Sequence, residues 1–357
     1  MKRRSTLASI LISGIALTVA VTGQAASANQ STGVAPVIRI GYFANVTHAP
    51  ALYAKEKKLF ETALAGTSTK IEWIAFNAGP SAIEAFKGGA LDLTYIGPNP
   101  TIAGFASTKG TLIRIIAGST ANGAQLIVKP KINSIADFEG KKIASPQLGN
   151  TQDVALRAWL ASNNFKTTIT GGGDVTVIPT ENAQTLTLFQ KGDIDGAWVP
   201  EPWASRLVLE AGGKVFLDEK DLWPKKQFLT TQIIAATDFL NKYPKTVEAI
   251  LKGHIQSITE IKKSPTAAQD AVQNQIAAAT GKRLSDAVIT RAWSNLVFTY
   301  DPLVPTLVKN SKDAVEAGLL TNLGSRKLVG IYDLRILNKL LVASKQKAIL
   351  TQGLGKA

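Results

Sequence analysis

Short apolar runs alternate with amphipathic stretches from residue 37 to about 237. VIRIGYF (37–43), IEWIAF (71–76), LDLTYI (91–96) and LIRIIAG (112–118) have the length and β-branched content of buried strands. Helical patterns separate them. One opens at Thr47-His48-Ala49-Pro50 and runs through Phe60, and one opens at Ser81-Ala82-Ile83-Glu84, which has capping-box spacing. A third covers Pro100 to Ala106. After the strand AQLIVK (124–129) the order repeats: strand KKIASP, helix Asn150–Asn163, strand VTVIPT, helix Asn182–Lys191, strand IDGAWV, helix Glu201–Ala211, then strands KVFLDE and TQIIAAT (231–237). From Asp238 onward the spacing becomes helical. Strand alternating with helix predicts an α/β protein with parallel-type sheets covered on both faces. Two lobes are expected, one from 37–124 plus 237–345 and one from 125–236, with AQLIVK and TQIIAAT as a two-strand hinge over a cleft.

One corner is written twice. KGGALDLTYIGPNP (87–100) and KGDIDGAWVPEPW (191–203) both run Gly-x-x-Asp, then apolar residues, then Pro-x-Pro, with Phe86 and Phe189 six positions before the aspartates. Asp92 and Asp195 stand at the amino ends of their strands, opposite the cleft, so a turn role outweighs paired acid–base chemistry. Ligands of open α/β sheets bind off the carboxyl ends of strands, where helix starts present unpaired N–H groups and the positive end of the dipole. Asn99 before Pro100, Glu201 before Pro202, Gly149-Asn150-Thr151 and Ser81 mark such starts. Each alone is ordinary capping; together they are expected to flank one gap.

Composition narrows the chemistry. With no cysteine and only His48 and His254, thiolate metal sites, disulfides, cysteine nucleophiles, a lipidated cysteine and a histidine-rich metal centre are excluded. The charge is +14, or +11 once the three cations Lys2, Arg3 and Arg4 are set aside, but basic residues come in ones and twos, often beside acids. Dispersed solvated lysine fits better than a nucleic-acid stripe. Lys2-Arg3-Arg4, the apolar run Leu7–Val21 and Ala26-Ser27-Ala28 have the form of a cleavable signal peptide over residues 1–28, which predicts an exported, non-lipidated, periplasmic protein.

YIGPNP, IASPQLGNTQDVALRAWL and GDIDGAWVPEPWASRLVLEAGG closely resemble the substrate-binding proteins of bacterial ABC importers for aliphatic sulfonates, nitrate and taurine. The resemblance runs from VIRIGYF through the DFL…YP helices. It implies a type II periplasmic binding protein fold and delivery of a captured small anionic solute to a membrane permease driven by an ATPase. It implies no catalysis and no cofactor, and the chain is read as a monomer. An organosulfonate is the expected solute, with nitrate or a thiamine-pyrimidine precursor as the alternative. Carried onto this chain, the cleft-lining positions are Thr47, His48, Ala78, Gly79, Ser81, Gly97, Pro98, Asn99, Thr101, Gly118 and Ser119 from the first lobe. From the second come Gly149, Asn150, Thr151, Gln152, Trp198 and Glu201. His48 fits a sulfonate donor or a helix-start histidine, and Trp198 fits a stacking surface or core. Glu201 would repel a bound oxyanion in a dry cleft, which favours a capping or networking role.

Overall fold

A computed structural model describes residues 33–321 and 328–357 of the chain; the expected signal peptide lies outside the described residues. The described strands are β1 (Val37–Phe43), β2 (Lys70–Phe76), β3 (Leu93–Ile96), β4 (Ile113–Asn122), β5 (Ala124–Val128), β6 (Lys142–Ser145), β7 (Thr176–Pro179), β8 (Gly196–Pro200), β9 (Lys214–Asp218), β10 (Leu229–Ala236), β11 (Leu296–Phe298), β12 (Tyr332–Asp333) and β13 (Gly355–Lys356). They form two sheets. The first has the order β13-β12-β4-β10-β3-β1-β2, with β11 beside β4; the second has the order β7-β6-β8-β5-β9. Read from the parallel edge, β2-β1-β3-β10-β4 and β7-β6-β8-β5-β9 are the same arrangement: three parallel strands, then one antiparallel to both neighbours.

The antiparallel strands correct the expected hinge. AQLIVK lies wholly in the second sheet as β5, and TQIIAAT belongs to β10, wholly in the first. Ile233, Ile234 and Ala235 of β10 pair with β3 on one side and β4 on the other, with no exposure, which puts the strand in the first sheet. The chain crosses instead at Asn122-Gly123, where φ is 64° and 77°, and returns through the 3-10 turns Glu219–Leu222 and Pro224–Lys226. The C-terminal helices also reach both sheets. Val304–Glu316 packs on Pro98–Ser107 after β3 and on Thr151–Ser162 after β6, and Asp286–Ser294 packs on Trp203–Ala211 after β8.

Period-two alternation divides the second sheet's core. Leu126 and Trp198 face Phe138 and Trp159, while Ile127, Ala197 and Val199 face Phe189 and Leu207. Trp198 is fully buried, lies 6.1 Å from the Trp159 ring and donates from Nε1 to Glu219 at 2.7 Å. It is a core residue rather than a ligand-stacking surface.

Candidate functional site

At the carboxyl end of β3 three strands bring a band of small polar residues to one level. Ile96 lies opposite Gln232, Gln232 opposite Gly118, and Thr231 opposite Thr120. Asn99 follows β3 in the first turn of the helix Pro98–Ser107. Asn99, Ser119, Thr120, Thr231 and Gln232 are at most 2% exposed. Yet Asn99 Oδ1, Ser119 Oγ, Thr120 Oγ1, Thr231 Oγ1 and both amide atoms of Gln232 have no hydrogen-bond partner among the described residues. A buried polar atom left unpaired costs about 1–3 kcal/mol, and native interiors rarely gather so many. The orientation of Asn99 is set by its Nδ2, which donates to the Asn310 carbonyl at 3.0 Å, so the unpaired atom is an acceptor.

Beside this band, Thr151 of the second lobe approaches Gly97. A Cβ added to Gly97 would stand 2.3 Å from Thr151 Oγ1, itself unpaired, and one on Gly79 would stand 2.3 Å from Pro100 Cγ and 3.2 Å from Asn150 Oδ1. Only glycine permits either approach. Asp153 braces the second wall from beneath: it accepts from Gly149 N at 2.9 Å and Ser145 Oγ at 2.6 Å and pairs with the buried Arg157 at 3.1 Å. The Gly149 amide is therefore occupied, and Asp153 and the Thr168 carbonyl, at 2.8 Å, hold the Arg157 guanidinium with its Nη2 left unpaired. On the first wall Pro98 and Pro100 carry no N–H, so Asn99 supplies the one amide hydrogen of the first three helical positions.

Beneath the first wall lie two histidines. His48 Nδ1 accepts from Phe43 N at 3.2 Å and its ring stacks on Phe43 at 4.3 Å. Burial lowers its pKa to about 3, so at neutral pH the ring is uncharged and Nε2 carries the proton. His48 therefore brings a hydrogen-bond donor but no charge. His254 donates from Nε2 to the Gly118 carbonyl at 2.8 Å and accepts from Tyr95 OH at 3.0 Å.

Glu201 is fully buried, and its burial raises its pKa against the opposing pull of Asn295, Ser205 and Arg291. Oε2 accepts from Ser205 N at 3.0 Å, capping the helix Trp203–Ala211; Oε1 accepts from Asn295 Nδ2 at 2.7 Å and Arg291 at 3.2 Å. Arg291 also reaches Ser205 Oγ at 2.8 Å and Gln125 Oε1 at 2.9 Å. The carboxylate is a clasp between this corner and the C-terminal helix Asp286–Ser294.

Residues 33–277, more than half of the chain, match the NMT1-like family. The chain belongs to the NMT1-like family. Among curated relatives, the taurine-binding periplasmic protein of Escherichia coli (strain K12) is 26% identical over 215 residues, 60% of this chain and 61% of that protein. The alignment thus spans about three-fifths of that relative's length. The alkanesulfonate-binding protein SsuA from Xanthomonas axonopodis pv. citri, solved with MOPS bound, superposes with a TM-score of 0.68 at 21% identity over 81% of this chain and 96% of that one. The nitrate-binding protein NrtA from Synechocystis PCC 6803 superposes with a TM-score of 0.64 at 18% identity over 82% of this chain and 84% of that one. The architecture of this NMT1-like protein is therefore the two-lobed periplasmic binding protein fold.

Within that fold the expected residues divide into groups. Gly97, Pro98, Asn99, Ser119, Asn150, Thr151 and Gln152 lie on or beside the polar band, and Gly79 abuts Pro100 and Asn150. Thr47 is buried beside the Glu201 carbonyl, to which its N–H points at 3.4 Å. Ser81 is exposed inside the helix Gly79–Lys87 instead of capping it, on an outer cleft of about 600 Å³ shared with Gln147 and Thr180. Thr101 spends its hydroxyl on the Gly97 carbonyl at 2.9 Å. Gly118 packs against the Asp301 backbone, where a Cβ would meet a carbonyl oxygen at 2.2 Å. Thr120, Thr231, Gln232 and Arg291 escaped the sequence reading. The polar pair Thr231-Gln232 ahead of an apolar run was the available signal for two of them.

Proposed function

We propose that this protein is the extracytoplasmic solute-binding component of an ABC importer. It captures a small organosulfonate between its lobes and hands it to a membrane permease and ATPase, acting as a monomer and without catalysis. The observation that carries this reading is the band of buried, unpaired polar atoms (Asn99, Ser119, Thr120, Thr231 and Gln232) at the carboxyl end of β3, where Gly97 approaches Thr151 of the other lobe. Such atoms are costly in an empty protein and useful in a loaded one. The hydroxyls and the Gln232 amide can donate to sulfonate oxygens, and the names of the relatives point to that class. Nitrate is the second reading, supported by the likeness to NrtA.

The test is titration calorimetry of the full chain with ethanesulfonate, taurine and nitrate. Micromolar binding of a sulfonate is expected, with Thr151→Val and Asn150→Leu each weakening it at least about tenfold, the equivalent of about 1.4 kcal/mol. Binding of nitrate alone, or unchanged affinity in both variants, overturns the sulfonate reading at this site.

A further inference from the structure

The unpaired atoms specify more than an oxyanion. A sulfonate or nitrate only accepts hydrogen bonds. Asn99 Oδ1 is also an acceptor, fixed in that orientation by the Asn310 carbonyl. Gln232 has both its amide oxygen and its amide nitrogen unpaired at no exposure, so either rotamer of the amide leaves one buried acceptor. Against an acceptor-only ligand these two oxygens would stay unsatisfied and repel it. Arg291 is bound to Glu201, Arg157 is paired with Asp153 with its Nη2 left unpaired, and His48 is neutral. The band is therefore mixed in hydrogen-bonding sense, and Asn99, Ser119, Thr120, Thr231 and Gln232 carry no charge of their own.

Resting on the reading of the band as the solute site, we propose that the selected solute carries N–H donors next to acceptors, as a carbamoyl group does. Gln232 is the residue that reads this edge, its amide pairing donor to acceptor and acceptor to donor, with Asn99 Oδ1 taking a further N–H. Thr231 and Thr120, facing each other across β10 and β4, adjust to either sense because a hydroxyl does both. A binding site made this way discriminates strongly, since the wrong ligand leaves buried groups unpaired.

The experiment uses the full chain and three probes: ethanesulfonate, carbamoylmethanesulfonate and malonamate, which bears the carbamoyl group on a carboxylate. Carbamoylmethanesulfonate is expected to bind at least about tenfold more tightly than ethanesulfonate. Gln232→Met should weaken carbamoylmethanesulfonate about tenfold more than ethanesulfonate, and should raise the melting temperature of the unliganded protein by removing an unpaired buried amide. Thr231→Val provides a second variant with the same expected signs and smaller size. Equal binding of the two sulfonates, or a lowered unliganded melting temperature in both variants, overturns the inference. Binding of malonamate with neither sulfonate bound sinks the sulfonate reading and leaves the inference standing. Failure of all three probes sinks both.

Discussion

Asp92 in the first sheet and Asp195 in the second make the same contacts over the same separation. Asp92 accepts from Arg39 N at 2.8 Å and Asp195 from Lys142 N at 3.1 Å, each 53 residues upstream. Their own amides return to the carbonyls of those residues, at 3.1 Å and 2.8 Å, and their carbonyls accept from the antiparallel strand, Ala236 N at 2.9 Å and Lys129 N at 2.8 Å. Past the strands the resemblance ends. After β3 the chain turns at Gly97 into a helix start surrounded by unpaired polar atoms; after β8 it turns at Glu201, whose carboxylate is occupied by Ser205, Asn295 and Arg291. One corner is left open to a solute and its twin is closed by a clasp. The second lobe offers its contact from the corner after β6, at Thr151, instead. Equivalent backbone thus does not imply equivalent function; the side chains that fill or leave open each corner decide it.

The largest test of this contrast is to undo the clasp. Arg291→Met leaves Glu201 buried without its cation, which should cost about 3 kcal/mol of stability, read as a lower denaturation midpoint with unchanged slope. Asn99→Leu at the open corner should instead leave stability level or raised, because it removes an unpaired acceptor. Equal losses in the two variants would erase the distinction between closed and open corners.

A smaller effect probes the matching ends. Removing one carboxylate deprives a strand amide of its acceptor, so Asp92→Ala and Asp195→Ala should each cost about 1–3 kcal/mol. Asp92 should stand at the upper end, since it also holds Arg39 through Nε at 2.9 Å and Nη2 at 2.8 Å, whereas Asp195 has the more exposed Lys131. Chemical denaturation of both variants would reverse this order if the aspartates were not equivalent in kind.

These twin turns were legible in the chain because Gly-x-x-Asp before an apolar run is local information, and the strands were legible for the same reason. The sheet that β10 joins was not, since Ile233 and Ile234 would be buried in either lobe. The crossing point could have been found: Asn122-Gly123 is a turn dipeptide set between two apolar runs. Pro98 likewise marked the true first residue of its helix, two positions before the one expected. Trp198 was ambiguous because a strand's period separates two faces without saying which one meets solvent. Arg291 lay beyond local reading altogether, as its carboxylate partner is 90 residues away and neither residue is unusual in its own segment.

The last prediction, read through pH, uses the residue three places after each aspartate. Tyr95 and Trp198 are both fully buried, and each bonds a buried titratable group: Tyr95 OH to His254 Nδ1 and Trp198 Nε1 to Glu219. Burial keeps both partners neutral, which moves their pKa values in opposite directions, His254 down to about 4 and Glu219 up to about 8. The unfolded chain protonates His254 below about 6.5 while the folded chain resists, so this contribution is lost as pH falls from about 6.5 to about 4. The unfolded chain ionises Glu219 above about 4.5 while the folded chain does not, so that contribution is lost as pH rises from about 4.5 to about 8. Each slope is bounded at about 1.4 kcal/mol per pH unit. Glu219→Gln should therefore gain on the parent protein as pH climbs toward 8, and His254→Gln should gain on it as pH drops toward 4. Melting temperatures of the two variants between pH 4 and pH 9 should diverge in these opposite senses, and parallel curves would show that burial does not hold His254 and Glu219 neutral.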